Sequence, residues 1–158
     1  MKTIRRRRLE RKTDYKARLA LLKSEEKRLI ARKTNRYIIA QIVKSIKAQD
    51  SVIIMMTSKI LLSHGWPKEY KGSLKSLQAA YLTGYIIGKI ALEKKIKEAI
   101  LDMGMHKNVH KSRIYAVLKG AIDAGLKIPH NQEALSLDSD FQKNEKLKNF
   151  ITKIKQNL

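Results

Sequence analysis

Arginine is the residue whose number and spacing in this sequence point most directly to chemistry. Residues 1–36 hold nine of the ten arginines, and their 15 Lys and Arg against 4 Asp and Glu give a local charge of 15 − 4 = +11, half of the +21 of the whole chain. A guanidinium grips phosphate through two parallel hydrogen bonds, which lysine does not do. This segment predicts contact with nucleic-acid phosphates, although a solvated basic tail or a localisation signal is the alternative reading.

Two further basic clusters follow along the chain. One surrounds a polar turn at residues 32–36, and the other occupies residues 106–113, ahead of a predicted helix whose free backbone N–H groups favour phosphate. Tyr15, Tyr37 and Tyr115 are interleaved with these clusters, and tyrosine rings can stack on unpaired bases. Together with residues 5–12, which we call the arginine arm, the clusters predict a cationic RNA-binding surface.

Catalytic and metal-binding patterns are poorly supported. The chain has no cysteine, no serine in a G-x-S-x-G elbow and no glycine-rich phosphate loop. His106 and His110 are four residues apart without the glutamate of a metal motif. A two-metal nuclease needs converging carboxylates, whereas Asp50, Asp102 and Asp123 fall on separate predicted elements. We therefore expect no enzyme, metal or cofactor, with an RNA-processing nuclease as the alternative.

Membrane insertion is not expected either. The N-terminal segment lacks the apolar region of a secretory signal. The longest helix-like apolar stretch, residues 76–88, is too short to span a bilayer and is bounded by lysines. We expect a cytoplasmic protein. A membrane-surface protein that uses an amphipathic helix within residues 141–158 is a further alternative.

The first half of the chain predicts a helix and three strands. Thr13 is a plausible N-cap for a helix that runs to about residue 24 and orients the arginine arm. Two β-rich runs, residues 28–33 and 37–43, flank a turn in which Asn35 would tolerate the left-handed conformation. The apolar run at residues 51–57 suggests a strand covered on both faces. Residues 58–72 look like a loop, in which Trp66 is expected to pack over an edge of the core.

The second half begins with a long predicted helix, from Ser73 as N-cap to about residue 95. Ser76, Ala80, Gly84 and Gly88 recur every four residues and form a flat face of small side chains. A glycine inside a helix costs roughly 1 kcal/mol relative to alanine. Close approach of the helix to a sheet or to another helix would explain two of them.

The remaining residues predict a strand and two helices. Residues 98–105 read as a fourth strand, and Ser112 caps a helix over residues 113–124 that Gly125 ends. Beyond a polar linker, apolar residues recur at helical spacing and need something to pack on, either the same domain or a neighbour. These residues are Leu147, Phe150, Ile151, Ile154 and Leu158.

This order of elements predicts the α/β class, as a three-layer domain with a small mixed sheet and covering helices. The expected organisation is a basic arm and short helix in residues 1–24, an α/β RNA-binding domain in residues 25–130, and a linker with an amphipathic helix in residues 131–158.

Several blocks of the sequence resemble one family. They are RRRR-LE-RKTDY at residues 5–15, RLALLKS at 18–24, RLIARKTN at 28–35, AAYLTG at 79–84, AILDMG at 99–104 and GAIDAGLKIPH at 120–130. In combination they are similar to the archaeal-type form of universal large-subunit ribosomal protein L eighteen, the 5S ribosomal RNA-binding protein. The resemblance covers about residues 4–131, and residues 132–158 do not match.

The resemblance implies a ribonuclease-H-like fold of the kind found in translation components, without catalytic use. It implies a structural protein of the cytoplasmic large ribosomal subunit. The expected partners are 5S ribosomal RNA, large-subunit ribosomal RNA, and neighbouring ribosomal proteins that include the other 5S-binding protein. No membrane partner is expected.

The resemblance assigns RNA contact to residues 5–8, 11 and 12, to the hairpin at 32–37 and to the loop at 110–113. Two details depart from the family: the segment before Arg5 is short, and residues 105–111 differ from the usual pattern. The complete set of predicted RNA-binding residues is Arg5, Arg6, Arg7, Arg8, Arg11, Lys12, Tyr15, Arg18, Arg32, Lys33, Asn35, Arg36, Tyr37, His110, Lys111, Ser112 and Arg113.

Overall fold

One mixed sheet of four strands organises the chain. The structure, a computed structural model, describes residues 6–10, 12–135 and 145–157. The strands are β1 (Arg28–Lys33), β2 (Ile38–Ile46), β3 (Gln49–Thr57) and β4 (Ile100–Asp102). Their spatial order is β3-β2-β1-β4. Both β1–β2 and β2–β3 are antiparallel, and β4 joins β1 in parallel, so the predicted mixed sheet is confirmed.

Five α-helices accompany the sheet in the described residues. They are α1 (Arg6–Leu9), α2 (Tyr15–Lys23), α3 (Leu77–Glu93), α4 (Arg113–Asp123) and α5 (Glu145–Asn157). Short 3-10 helices lie at Ser58–Leu62, Lys68–Ser73 and Gln132–Ala134.

Two predicted N-caps are wrong. Asp14, not Thr13, caps α2, and its carboxylate accepts from the N–H groups of Lys16 and Ala17. Ser76, not Ser73, caps α3, because Ser73 is part of a 3-10 helix that precedes it.

The hydrophobic core lies between one face of the sheet and the helices α3 and α4. Leu29 and Ala31 of β1 are paired with Ile42 and Ala40 of β2, and all four are completely buried. Side chains alternate between the two faces of a strand, so these four residues define the core face. Helix α3 packs on β2 and β3, and α4 packs on β1.

The opposite face of the sheet is only partly covered. Helix α2 lies over it at the start of β3, where Arg18 binds Asp50. Beyond that helix the sheet is open, and Val52 and Met55 of β3 are 51% and 57% exposed. The prediction that this strand is covered on both faces is therefore wrong, because β3 is an edge strand that α2 contacts at its start, at Asp50, while Val52 and Met55 farther along stay exposed.

The small side chains of α3 let α4 approach it closely. A Cβ atom added to Gly84 would lie 2.0 Å from the carbonyl oxygen of Val117, and one added to Gly120 would lie 2.1 Å from that of Tyr81. The predicted close approach is confirmed, and its partner is a helix. Gly120 makes the reciprocal contribution from α4, which the sequence pattern did not reveal.

The two hairpin turns differ from expectation. Asn35 does not adopt a positive φ; the left-handed residues are Lys47 and Ala48, with φ of 49° and 64°, in the two-residue turn between β2 and β3. The turn between β1 and β2 is instead held by Thr34. Its hydroxyl accepts from the N–H of Tyr37 at 2.9 Å and donates to the carbonyl oxygen of Tyr37 at 2.8 Å.

The C-terminal helix α5 packs on the rest of the chain. Its residues Leu147, Phe150 and Ile154 are buried. The ring of Phe150 meets Trp66 edge-on, with 5.5 Å between centroids. Trp66 is itself buried, as predicted, and its indole N–H donates to the carbonyl of Tyr70. The apolar face of α5 is thus occupied by the chain's own residues; residues 136–144 before it and Leu158 lie outside the described residues.

Candidate nucleic-acid interface

The described part of the arginine arm carries exposed cations held by short local contacts. Arg6 and Lys12 both contact the carboxylate of Glu10, each at 2.7 Å, and Nε of Arg7 donates to the hydroxyl of Thr13 at 2.8 Å. Hydrogen bonds from Lys12 and then Arg6 lower the pKa of Glu10. One carboxylate thus forms ion pairs with two cations, and the arm keeps a net positive charge. Arg8 is exposed, and the predicted Arg5 and Arg11 lie outside the described residues.

The end of the first hairpin presents its cations on a fixed turn. Arg32, Lys33, Asn35 and Arg36 are exposed, and the Thr34 hydrogen bonds described above hold the backbone between them. Tyr37 is half-buried, with the ammonium of Lys59 4.7 Å from its ring centroid. The ammonium of Lys59 therefore lies against the tyrosine that the sequence assigned to base stacking.

The loop before α4 presents a third group of cations. His110, Lys111 and Arg113 are exposed and Ser112 is half-buried. The N–H of Lys111 donates to the carbonyl of Ala134 at 2.9 Å, which ties the loop to the chain beyond α4. Ser112 occupies the N-cap position, but its side chain makes no capping hydrogen bond.

Tyr115 does not belong to the exposed surface. It is 8% exposed, and its hydroxyl donates to the side-chain oxygen of Asn108 at 2.6 Å. Its ring meets that of His110 edge-on, with 6.3 Å between centroids. The interpretation of Tyr115 as a base-stacking residue is therefore wrong, because the ring is used to hold the loop.

Two clefts bring the three cationic segments together. The first, about 400 Å³ and here called the arm cleft, runs between the arm, α2 and the loop; the second, about 550 Å³ and here called the loop cleft, runs between the hairpin end, the loop and the start of α4. The arm cleft is lined by the cations of Arg7, Lys12, Arg18 and Arg32 and by two carboxylates, those of Asp14 and Asp102. The loop cleft is lined by Lys33, His106, Lys107, Lys111 and Arg113, among others.

The two clefts adjoin each other. Met105 lines both, while Arg32 and Lys33 are consecutive residues that line one cleft each. The arm, the hairpin end and the loop thus form one continuous cationic surface, although they are separated in sequence.

His106 is a member of this surface. The sequence placed it in the basic cluster of residues 106–113 but not among the predicted RNA-binding residues. Partial burial, and then the charges of Lys33 and Arg32, lower its pKa. His106 and Lys33 line the same cleft, which places the imidazole beside the hairpin end. Within the ranges that the structure describes, no cluster of three or more His, Asp or Glu residues is arranged to hold a metal ion.

A buried ion-pair network lies beneath the surface. The guanidinium of Arg28, a side chain only 2% exposed, donates to Asp102 at 2.6 Å, to Asp50 at 2.7 Å and to Ser45 at 2.8 Å. The other oxygen of Asp102 accepts from the N–H of Gly104 at 2.9 Å, at the start of the loop. Sequence reasoning missed the role of Arg28, because it begins a strand that also holds Arg32 and Lys33 and no local signal sets it apart.

Arg18 extends the network to α2. It donates to Asp50 at 3.0 Å and to the carbonyl of Ala48 at 3.4 Å. Partial burial raises the pKa of Asp50, but hydrogen bonds from Arg18 and Ser45 and the charge of Arg28 outweigh it and lower that pKa to about 2. The network joins α2, β1, the β2–β3 turn and β4, so it fixes the helix that follows the arm relative to the loop.

None of the helices in the described ranges is long and apolar enough to cross a membrane.

Known proteins match most of this chain. The family described as ribosomal large subunit proteins 60S L5 and 50S L18 matches residues 1–99 and 93–131. A protein of Korarchaeum cryptofilum named large ribosomal subunit protein uL18 is 46% identical over 151 residues, which cover 96% of this chain and 75% of that relative. Its namesake from Methanosphaera stadtmanae is 41% identical over 160 residues, which cover 92% of this chain and 81% of the relative.

A third relative of the same name, from Methanothermobacter thermautotrophicus, is 42% identical over 134 residues, which cover 85% of this chain and 68% of the relative. The matched residues include the arm, the hairpin and the loop that build the cationic surface. The chain therefore belongs to the family of ribosomal large subunit proteins that comprises 60S L5 and 50S L18.

Proposed function

We propose that this protein is a structural component of the large ribosomal subunit that binds 5S ribosomal RNA and helps attach it to the large ribosomal RNA. Its relatives are named as large ribosomal subunit proteins, which supports a ribosomal role in the cytoplasm. The observation that carries RNA binding is the continuous cationic surface of arm, hairpin end and loop. Neighbouring ribosomal proteins, including the other 5S-binding protein, are the remaining partners.

The physical basis is phosphate neutralisation by cations on a rigid framework. Phosphate contacts fix the position of a protein on RNA, and structured RNA is recognised largely through its shape. The Thr34 hydrogen bonds and the Arg28 network hold the hairpin and the loop, so few degrees of freedom are lost when RNA binds. The exposed arm reaches beyond this framework and supplies arginine forks for phosphates.

Two alternatives receive no support. A nuclease would need Asp102 as a metal ligand, but this carboxylate is 13% exposed and is bound to Arg28. The relatives are named as ribosomal subunit proteins, in agreement with the predicted absence of enzymatic function. A membrane-surface role would need the apolar face of α5, which is buried against the chain itself.

The test is the salt dependence of 5S RNA binding. The slope of log affinity against log salt is negative, and its magnitude falls by roughly 0.7–0.9 for each phosphate contact that is lost. Replacing Arg6, Arg7 and Arg8 by alanine is therefore expected to flatten the slope by about 2–3. The matched control replaces three exposed lysines outside the cationic surface, Lys97, Lys148 and Lys153, and is expected to leave the slope nearly unchanged.

An unchanged slope in the arginine variant would remove the arm from the interface. Wild-type protein that binds 5S RNA no better than an arbitrary duplex of equal length would contradict the proposal as a whole.

A further inference from the structure

The loop cleft combines an imidazole with an unusual concentration of cations. Half-buried His106 lies there with Lys33 from the end of β1, Lys107 and Lys111 from the loop, and Arg113 from the first turn of α4. Among the residues that the structure describes, no carboxylate lines this cleft. These cations repel one another, and no carboxylate in the described lining offsets them, so the cleft favours an anion.

The shape of the cleft indicates what kind of anion it receives. Its volume of about 550 Å³ exceeds that of a single phosphate group and leaves room for the attached sugar. Met105 and Val109, which are 52% and 54% exposed, give it an apolar wall. A cationic floor beside an apolar wall suits one nucleotide of a folded RNA, with its phosphate on the lysines and its ribose or base against the apolar side chains.

We propose that the loop cleft binds a phosphate group of RNA, and that His106 takes up a proton when this phosphate enters. The inference rests on the proposed function and deepens it, since it makes the affinity of the complex depend on pH through one named residue.

The direction of the linkage follows from the charges around the imidazole. In the free protein, burial and the charges of Lys33 and Arg32 lower the pKa of His106 below its usual 6.5, so the ring is neutral at physiological pH. Lys107, Lys111 and Arg113 also line the cleft. A bound phosphate offsets these charges and offers an oxygen to the protonated ring, so it raises the pKa. Binding then strengthens as pH falls from the pKa of the complex to that of the free protein.

The first experiment measures affinity for 5S RNA at constant salt between about pH 6 and pH 8, where histidine titrates. Wild-type affinity is expected to rise as pH falls, by up to about tenfold per pH unit for one linked proton. His106→Gln is expected to lose this dependence. His64→Gln is the control, because His64 is exposed and lies outside the arm, the hairpin end and the loop, and it should behave like the wild type.

Two outcomes separate this inference from the proposed function. If wild-type protein and His106→Gln bind 5S RNA with the same pH dependence, the proton linkage is overturned while RNA binding stands. If wild-type protein does not bind 5S RNA specifically at any pH, the proposed function fails, and this inference fails with it.

A second experiment tests the cleft without RNA. Titration of His106 followed by nuclear magnetic resonance is expected to show a higher pKa in Lys33→Ala than in the wild type, because one repelling charge is gone. Addition of 5S RNA to the wild type is expected to raise the pKa of His106 further than that of His110. An unchanged pKa in either comparison would overturn the proposed site.

Discussion

The replacement of Arg28 by methionine tests the network that joins α2 to the loop. Methionine keeps much of the length of the side chain and removes the guanidinium that binds Asp50 and Asp102. Both carboxylates would then lose a buried partner. Arg18 still binds Asp50, whereas Asp102, at 13% exposure, keeps only the N–H of Gly104 among the contacts described above.

The expected cost follows from the burial of these groups. Removal of one partner from a buried ion pair costs about 3–5 kcal/mol, because a charge is left without compensation in a poorly solvated place. Asp50 is 30% exposed and retains Arg18, so water and that arginine offset part of the loss. We expect the free energy of unfolding to fall by about 3 kcal/mol. In a chain of this size that corresponds to a decrease in Tm of about 6–12 °C.

The assay is urea unfolding followed by circular dichroism, with Arg36→Met as the matched control. Arg36 is exposed at the hairpin turn, so its loss is expected to change stability by less than about 0.5 kcal/mol while it weakens RNA binding. An Arg28→Met protein as stable as the wild type would refute the reasoning. It would mean that the ion pairs of Arg28 only offset the free-energy cost of burying its guanidinium.

Two more stability predictions follow from the same structure. Gly84→Ala places a Cβ 2.0 Å from a backbone oxygen of α4, and we expect a loss of about 2 kcal/mol after the gain in helix propensity is counted. Gly72→Ala meets no atom within 4 Å and is the control; equal stability of the two variants in urea would contradict the close helix contact. Asp50 titrates at about 2 in the folded protein, below its usual 3.8, so its stabilisation is fully present above about pH 4 and is lost as pH falls towards 2. The shift corresponds to at most about 2 kcal/mol, and solvent screening reduces this to about 1; an Asp50→Asn protein with the same acid unfolding profile as the wild type would rule out this contribution.

Local sequence patterns were enough for the main elements. The first hairpin is encoded by two apolar runs around a short polar turn, and the pairing of neighbouring strands follows with little choice. Gly84 and Gly88 in one helix predicted a closely packed neighbour, and that neighbour is α4, the helix that Gly125 ends. The arginine arm is visible in composition alone, and its contact with RNA stays a prediction.

Other features depend on contacts between distant residues. Arg28 and Asp102 are 74 positions apart, and no local pattern distinguishes this arginine from those exposed around it. Val52 and Met55 look like core residues because hydrophobicity says nothing about which strand lies at an edge. Tyr115 resembles a base-stacking residue in sequence, but its place on the inner side of α4 buries it.

Amino-acid composition and short-range periodicity thus determined the α/β class, the cationic character of the molecule and the three segments that carry its charge. Only the tertiary structure decided that Arg32, Lys33 and His106 meet around adjoining clefts, and that Arg28 and Arg18 hold the framework together. The physical reason is that charge and hydrophobicity belong to single residues, whereas burial and ion pairing belong to residues that folding brings together.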